Sequence, residues 1–436
     1  MTPAARLAAA IELLGSIEDT FGRGGPAADV LVERYFKQRR YAGSHDRRWI
    51  IGQVYAVLRT RGMLVWRLRT VGLAPTARWE VLLHLAGEGA LEAPWFEGPY
   101  AVPAPAPEER AALVRAAALE TRPDWARHNV PEWLESRLAA RFGAGLDEEM
   151  AALSGRAPTD LRVNCAGISR AAALAALAEA GVAARPTPWS PIGIRLEESR
   201  NIKGLPLVRK GMLEVQDEAS QIACLIAGAE PGEQVADLCA GGGGKTLALS
   251  DMMAGRGQIF AMDHDRRRLG ALKARAARAG MRNLQIHRLS RGEEKRAHQL
   301  TRFAAAFDLV VVDAPCSGSG TWRRNPELRW RADARKLEDH AAAQRTLLDE
   351  GMALTKPGGR LAYMTCSLLG EENDAVIASA LEAHDDWHLA DVRPYLERAG
   401  LGHLPPSAAG PEAMLQLTPA RHGCDGFFIT ILRRAA

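Results

Sequence analysis

Hydrophobic positions along this chain change period twice. Up to about residue 92 they recur at helical spacing without strand alternation. The run WIIGQVYAVLRTRGMLVWRL (49–68) pairs an apolar stripe with arginines on its wet side. GPYAVPAPAPEER (98–110) is a Pro/Ala loop. Helical spacing then resumes, and PEWLESRLAARFG (131–143) ends on a glycine suited to a C-cap. Residues 1–145 are thus predicted to form an all-helical domain. Over 155–215, LRVN (161–164) and IGIRLEE (192–198) read as strands and 169–181 as a helix, which predicts a small α/β module. From 216 to 436 the two patterns alternate. VADLC (235–239), QIFAMD (258–263), LQIHRL (284–289), DLVVVDA (308–314) and RLAYMTC (360–366) read as strands, separated by helical stretches such as 265–280 and 335–355. That alternation predicts an α/β domain with an open, mainly parallel, doubly wound sheet. WHLADV (387–392) and GFFITILRR (426–434) are expected to add edge strands. Ligands of such a sheet sit beyond the carboxyl ends of the strands, and every candidate below falls at such an end.

Length and composition add limits. A chain of 436 residues predicts two or three domains, and 47% hydrophobic with 25% charged residues is ordinary for soluble protein. The most apolar stretch, 171–185, is broken by Glu179 and reads as a buried amphipathic helix, so no membrane partner is expected. MTPAARLAAAIELL meets Glu12 before an apolar signal core forms, which argues for a cytoplasmic protein. The six cysteines include no CxxC pair, so neither a metal site nor a disulfide framework is suggested, and reduced thiols remain available for chemistry. Net charge is only +4, yet ten Lys or Arg residues face two acids between 31 and 70. That density suits a surface meeting phosphates, and equally a solvated helical face.

CAGGGGKT (239–246) resembles a phosphate-gripping loop, but GxxxxGK[ST] requires glycine where this chain has Cys239. With DLVVVDA as a magnesium-binding strand, a P-loop NTPase stays open as an alternative. The competing reading is a nucleoside site: a glycine turn after the first parallel strand, and an acid ending the second to take ribose hydroxyls. Asp263 in FAMDHD meets that requirement, unless it caps the next helix, a task Asp265 can also fill. Two cysteines then stand directly after neighbouring strands, Cys316 in DAPCSGSG and Cys366 in YMTCSLLGEEN. One such cysteine usually serves as a small hydrophobe; two beside flexible residues point to chemistry. A helix expected from about Glu371 would help ionise Cys366 through its dipole.

Together DLCAGGGGKT, MDHD, VVDAPCSGSGTWRRNPELRW and YMTCSLLGEEN resemble the NOL1/NOP2/Sun family of RNA 5-methylcytosine methyltransferases, as do VQDEASQ (215–221) and TPARHGCDGFF (418–428). The stretch 28–59 resembles the NusB-like RNA-binding domain found in the bacterial small-subunit ribosomal RNA branch of that family. The resemblance implies a Rossmann-like S-adenosylmethionine-dependent methyltransferase domain behind a NusB-like domain, acting on RNA, 16S ribosomal RNA before transfer RNA. It implies that the cofactor lies over Cys239, Ala240, Gly241, Gly242, Gly243, Gly244 and Lys245, with Asp263 on the ribose. It implies Cys366 as nucleophile toward C6 of cytosine, Cys316 as the residue assisting release, and Asp313 between cofactor and base, with Lys245 orienting Asp313 or touching the base.

Two departures stand out. The family loop usually reads CAAPGGKT, so Gly241 and Gly242 replace Ala and Pro and promise a looser loop. No acid follows the third parallel strand, where His287, Arg288 and Ser290 stand instead. TWRRNPELRW (321–330) offers Trp322, Arg323, Arg324 and Trp330 for bases and phosphates, with Trp322 as core filler the other reading. A non-catalytic RNA-binding factor and a methyltransferase of DNA or a small molecule complete the rivals.

Overall fold

The computed structural model describes residues 1–23, 25–91, 93–198, 201–202 and 204–436. The chain divides into two units, one of Met1–Gly155 with Thr321–Ala334, the other of Arg156–Gly320 with Arg335–Ala436.

The first unit is helical. Its main helices are Pro3–Glu18, Ala28–Gln38, Ser44–Thr70, Ala77–Gly87, Pro107–Ala117, Glu132–Phe142 and Leu146–Ser154. The apolar stripe of Ser44–Thr70 buries Ile50, Val54, Val57, Leu58 and Leu68 against Leu7, Leu13, Leu14 and Ile17 of the first helix. Gly143 ends its helix at a positive φ of +51°, which glycine adopts without strain. The segment 321–334 decides between the two readings of Trp322. Trp322 is only 1% exposed and packs under the Arg329 guanidinium, 4.8 Å from its ring centre. Arg329 is itself buried and donates to the carbonyls of Asn129 (3.2 Å) and Leu153 (2.8 Å). Trp322 is therefore core, not a stacking platform, and Arg323 is also buried.

The second unit carries two sheets. Strands β1 (Thr159–Val163), β2 (Ala184–Pro186), β3 (Gly193–Leu196) and β4 (Leu213–Val215) form an antiparallel sheet in the order β2-β3-β1-β4. The larger sheet holds β5 (Gln234–Asp237), β6 (Gln258–Asp263), β7 (Leu284–Arg288), β8 (Phe307–Asp313), β9 (Thr355–Thr365), β10 (Trp387–Ala390), β11 (Leu415–Leu417) and β12 (Phe427–Arg434). Its order is β10-β12-β9-β8-β5-β6-β7, with β11 also paired to β12. β7, β6, β5, β8 and β9 run parallel, while β12 is antiparallel to both β9 and β10. β8 shows why the sheet is covered on both faces. Leu309 and Val311 pack with Ile222 and Ile226 of helix Glu218–Ala227, while Val310 and Val312 pack with Leu348 and Met352 of helix Ala334–Leu354. This is a Rossmann-like, doubly wound sheet.

GFFITILRR corrects an expectation. β12 lies inside the sheet rather than at its edge, and β10 forms the edge. Phe427 through Leu432 are all buried, Thr430 the one polar residue among them, as a strand covered on both faces requires. Among the described residues, no helix is long and apolar enough to cross a membrane.

Candidate active site

The site forms where β5, β6, β8 and β9 end. After β5 the chain turns through Cys239–Gly243 into helix Gly244–Met252. Gly241 and Gly243 take left-handed conformations, φ +52° and +85°. A Cβ on Gly243 would stand 2.6 Å from Leu272 Cγ, so no larger residue fits without displacing that side chain. Gly243 N–H donates to Ala240 O (2.9 Å), Ala240 N–H to Met262 O (3.0 Å), and Arg275 Nη1 to Gly242 O (2.6 Å). Arg275 is anchored in turn by Glu214 of β4, 2.9 Å away. The glycines that replace Ala and Pro are thus tethered.

Asp263 closes the floor. It is 5% exposed; Oδ2 accepts from Gly241 N and Oδ1 from Asp265 N, each at 2.8 Å. Asp265, not Asp263, caps helix Arg266–Arg278, accepting from Arg267 N and Arg268 N. Each Asp263 oxygen therefore keeps acceptor capacity for a diol. Beneath the loop, Thr246 Oγ1 donates to Asp237 Oδ2 at 2.6 Å, and burial pushes the Asp237 carboxyl up to about 6. Burial, with Asp237 and Asp313 close by, holds the Cys239 thiol neutral by pushing its pKa well up.

Lys245 points from the first turn of its helix to the end of β8. Its ammonium donates to Asp313 Oδ2 at 2.6 Å and lies 5.0 Å from the Phe427 ring centre. Burial works against that charge. The Asp313 carboxylate, aided by Cys224 and Cys366, overcomes it and raises the lysine pKa. Lys245 is therefore a half-buried, charged partner of Asp313.

The two cysteines meet. Asp313 of β8 is in register with Met364 of β9, so the loops after these strands emerge side by side. Cys316 Sγ and Cys366 Sγ are 3.4 Å apart, and both residues are partly exposed. The hydrogen bond to Cys366, followed by burial, the Cys366 charge and Glu372, raises the Cys316 thiol well above its ordinary value. Gly320 N–H donates to Cys366 O (2.9 Å) and Gly426 N–H to Gly320 O (2.8 Å), so backbone bonds link three distant segments. A Cβ on Gly320 would collide with the Gly426 carbonyl, which explains glycine at both positions. The helix expected near Glu371 begins at Asp374, after a 3-10 turn over Gly370–Glu372.

Sequence reasoning missed the groups beneath the sulfurs: Ser317, Ser319, Ser367, Glu372 and Asn373. Glu372 is fully buried and accepts from Ser317 N (2.7 Å). Asn373 Oδ1 accepts from Thr365 Oγ1 (2.6 Å), and its Nδ2 donates to Ser367 O (3.0 Å). The available signal was polarity itself: EEN a few residues beyond an apolar strand, with serine after each cysteine. Among the described residues, no group of three or more His, Cys, Asp or Glu is arranged to hold a metal ion.

A doubly wound sheet, a glycine-rich turn in which Gly243 admits no Cβ without displacing Leu272, and an acid with spare acceptor capacity ending the second parallel strand fit S-adenosylmethionine. They define a Rossmann-like S-adenosylmethionine-dependent methyltransferase. The chain belongs to the RsmB/F family of 16S rRNA methyltransferases, whose profile matches residues 224–433. A second profile, the ferredoxin-like domain of RsmF/B-like methyltransferases, matches 130–203. The probable ribosomal RNA small subunit methyltransferase B of Synechocystis is 33% identical over 313 residues, 71% of this chain and 68% of that protein. Ribosomal RNA small subunit methyltransferase B of Sodalis glossinidius is 33% identical over 69% of this chain and 65% of its own. The chain thus spans about two thirds of these relatives' length. Among solved structures, a methyltransferase homolog protein from Pyrococcus horikoshii is 27% identical with a TM-score of 0.59, over 72% of this chain and 100% of that one. PH0851 shares the fold along nearly the whole length, with a TM-score of 0.76 at 24% identity over 98% of this chain and 99% of its own.

Proposed function

We propose that this protein methylates C5 of a cytosine in 16S ribosomal RNA through a covalent adduct between Cys366 and C6 of the base. The observation that carries the reading is the pair of sulfurs 3.4 Å apart, on the loops that follow β8 and β9, with β8 ending in Asp313, the partner of Lys245. C5 of cytosine is a weak nucleophile. Addition of the Cys366 thiolate to C6 makes C5 electron-rich, dividing one hard step into easier ones. Bound S-adenosylmethionine supplies an electrophilic methyl group. The backbone of Cys239–Gly244 and the Asp263 carboxylate would hold it. As thiolate adds, charge grows at N3 and O2 of the ring, and Lys245 with Asp313 offers the proton and positive charge to meet it.

Cys316 then acts in sequence. Its thiol is held protonated first of all by the bond and charge of Cys366. Once Cys366 is bonded to carbon, both influences end, and Cys316 ionises more readily. It is then suited to take the C5 proton, after which the C6–sulfur bond breaks and Cys366 leaves as thiolate. The target base must leave its stack to reach these groups. The basic stretch 31–70 of the helical unit is assigned to RNA phosphates.

The test is to incubate the protein with labelled S-adenosylmethionine and unmodified 16S ribosomal RNA or transfer RNA and to map the label. Label on C5 of a cytosine in 16S RNA, absent in Cys366→Ala, is the expected result. A Cys366→Ala variant that methylates at full rate would falsify the mechanism; label confined to transfer RNA would overturn the substrate.

A further inference from the structure

We propose that Glu372 is a positioning residue that locks the two cysteine loops in register, so that Cys316 can complete release after Cys366 has attacked. The proposal rests on the covalent reading above. Neither sulfur touches Glu372 by hydrogen bond; the carboxylate acts through the residue after each cysteine. Oε1 accepts from Ser317 N at 2.7 Å. Oε2 accepts from Ser317 Oγ and from Ser367 Oγ, both at 2.5 Å. Gln344 Nε2 adds a longer bond at 3.4 Å while also donating to Pro315 O at 2.9 Å. Ser319 completes the stitch, its Oγ 3.1 Å from Ser367 Oγ and accepting from Leu368 N at 2.8 Å. A single buried carboxylate thus gathers donors from both loops.

The chemistry of the acceptor matters. An ionised carboxylate only accepts, with about four lone-pair sites on two oxygens. Such charge-assisted bonds are shorter and stronger than neutral ones. Burial opposes the Glu372 charge, but His340, at 3.4 Å, and the bonds from Ser317 and Ser367 hold its carboxyl below the usual range. The anion is therefore built into the loops. A glutamine has the same shape, but its amide NH2 must face a donor in one of the two oxygen positions, so the set of bonds cannot be kept whole. The consequence falls on the second half of the reaction. Attack needs one sulfur in place; release needs the second held within reach of the first.

The experiment compares wild type, Cys316→Ala, Glu372→Gln and a Ser317→Ala/Ser367→Ala double variant with unmodified 16S RNA. Three quantities are read: turnover, denaturant-stable protein–RNA adduct, and S-adenosylhomocysteine affinity by calorimetry. Glu372→Gln is expected to keep that affinity within about threefold, to lose at least tenfold in kcat, and to accumulate adduct as Cys316→Ala does. The double serine variant is expected to accumulate adduct more weakly, and it carries the test if Glu372→Gln does not fold. A solely structural role would lower affinity and adduct together, and that outcome overturns the proposal, as does wild-type turnover without adduct. If Cys316→Ala traps adduct and Glu372→Gln behaves as wild type, only the role of Glu372 fails. If no protein forms adduct and Cys366→Ala methylates, the covalent reading fails with it.

Discussion

Asp237 shows how one buried group makes stability depend on pH. Its carboxyl is raised from 3.8 to about 6, chiefly by burial, so the folded protein holds this proton more tightly than the unfolded chain does. The stabilisation is fully present below the unfolded value and is lost as pH rises through 6. Above that, an ionised and buried carboxylate remains, with one bond from Thr246. Asp237→Asn should therefore gain stability relative to wild type by roughly 1 kcal/mol between pH 5 and pH 8. Denaturant titrations at the two values check this, and a difference independent of pH would refute it. At the same scale, Cys316 and Cys366 stood out as candidates for chemistry because two cysteines, each following one of two neighbouring strands, are an uncommon choice, while their separate roles came from the family resemblance. The role of Glu372 could not be anticipated, since an acid near a helix start usually serves as a cap.

At the scale of elements, the glycine turn is fixed by its neighbour across the loop. Gly243 combines φ +85° with a Cβ position that Leu272 already fills. Gly243→Ala is expected to weaken S-adenosylmethionine binding at least tenfold. Adding Leu272→Ala should recover part of the loss by removing the clash, while the backbone strain stays. Calorimetry on both variants measures it, and no recovery would place the whole effect in the backbone. β12 teaches the complementary lesson. Its largely apolar run was legible, but its position was not, because a largely apolar strand records that both faces are covered and not which strands cover its edges. The antiparallel pairing with β9, Phe428 opposite Thr365, was decided by tertiary contact.

At the scale of the whole molecule, the chain passes between its two units three times, because 321–334 belongs with the helices of 1–155. Trp322 and Arg329, each 1% exposed, anchor that segment. A single proteolytic cut between Gly155 and Thr159 should thus leave fragments that co-elute under native conditions and separate in denaturant. Separation without denaturant would count against the anchoring. Trp322→Ala should destabilise the helical unit by about 3–5 kcal/mol, the usual cost of deleting a buried aromatic, seen as a lower thermal midpoint.

The sequence by itself determined the order of helices and strands, the glycine turn with its acid, and the two cysteines at strand ends. These are local in origin: periodicity follows from which face of an element is buried, and a ligand turn follows from its glycines. Tertiary structure alone decided that the sulfurs meet, that Lys245 is spent on Asp313, that Glu372 draws both loops together, and that Trp322 is core. Each depends on residues tens to hundreds of positions apart, and spacing along a chain carries no information about which distant groups a fold brings into contact.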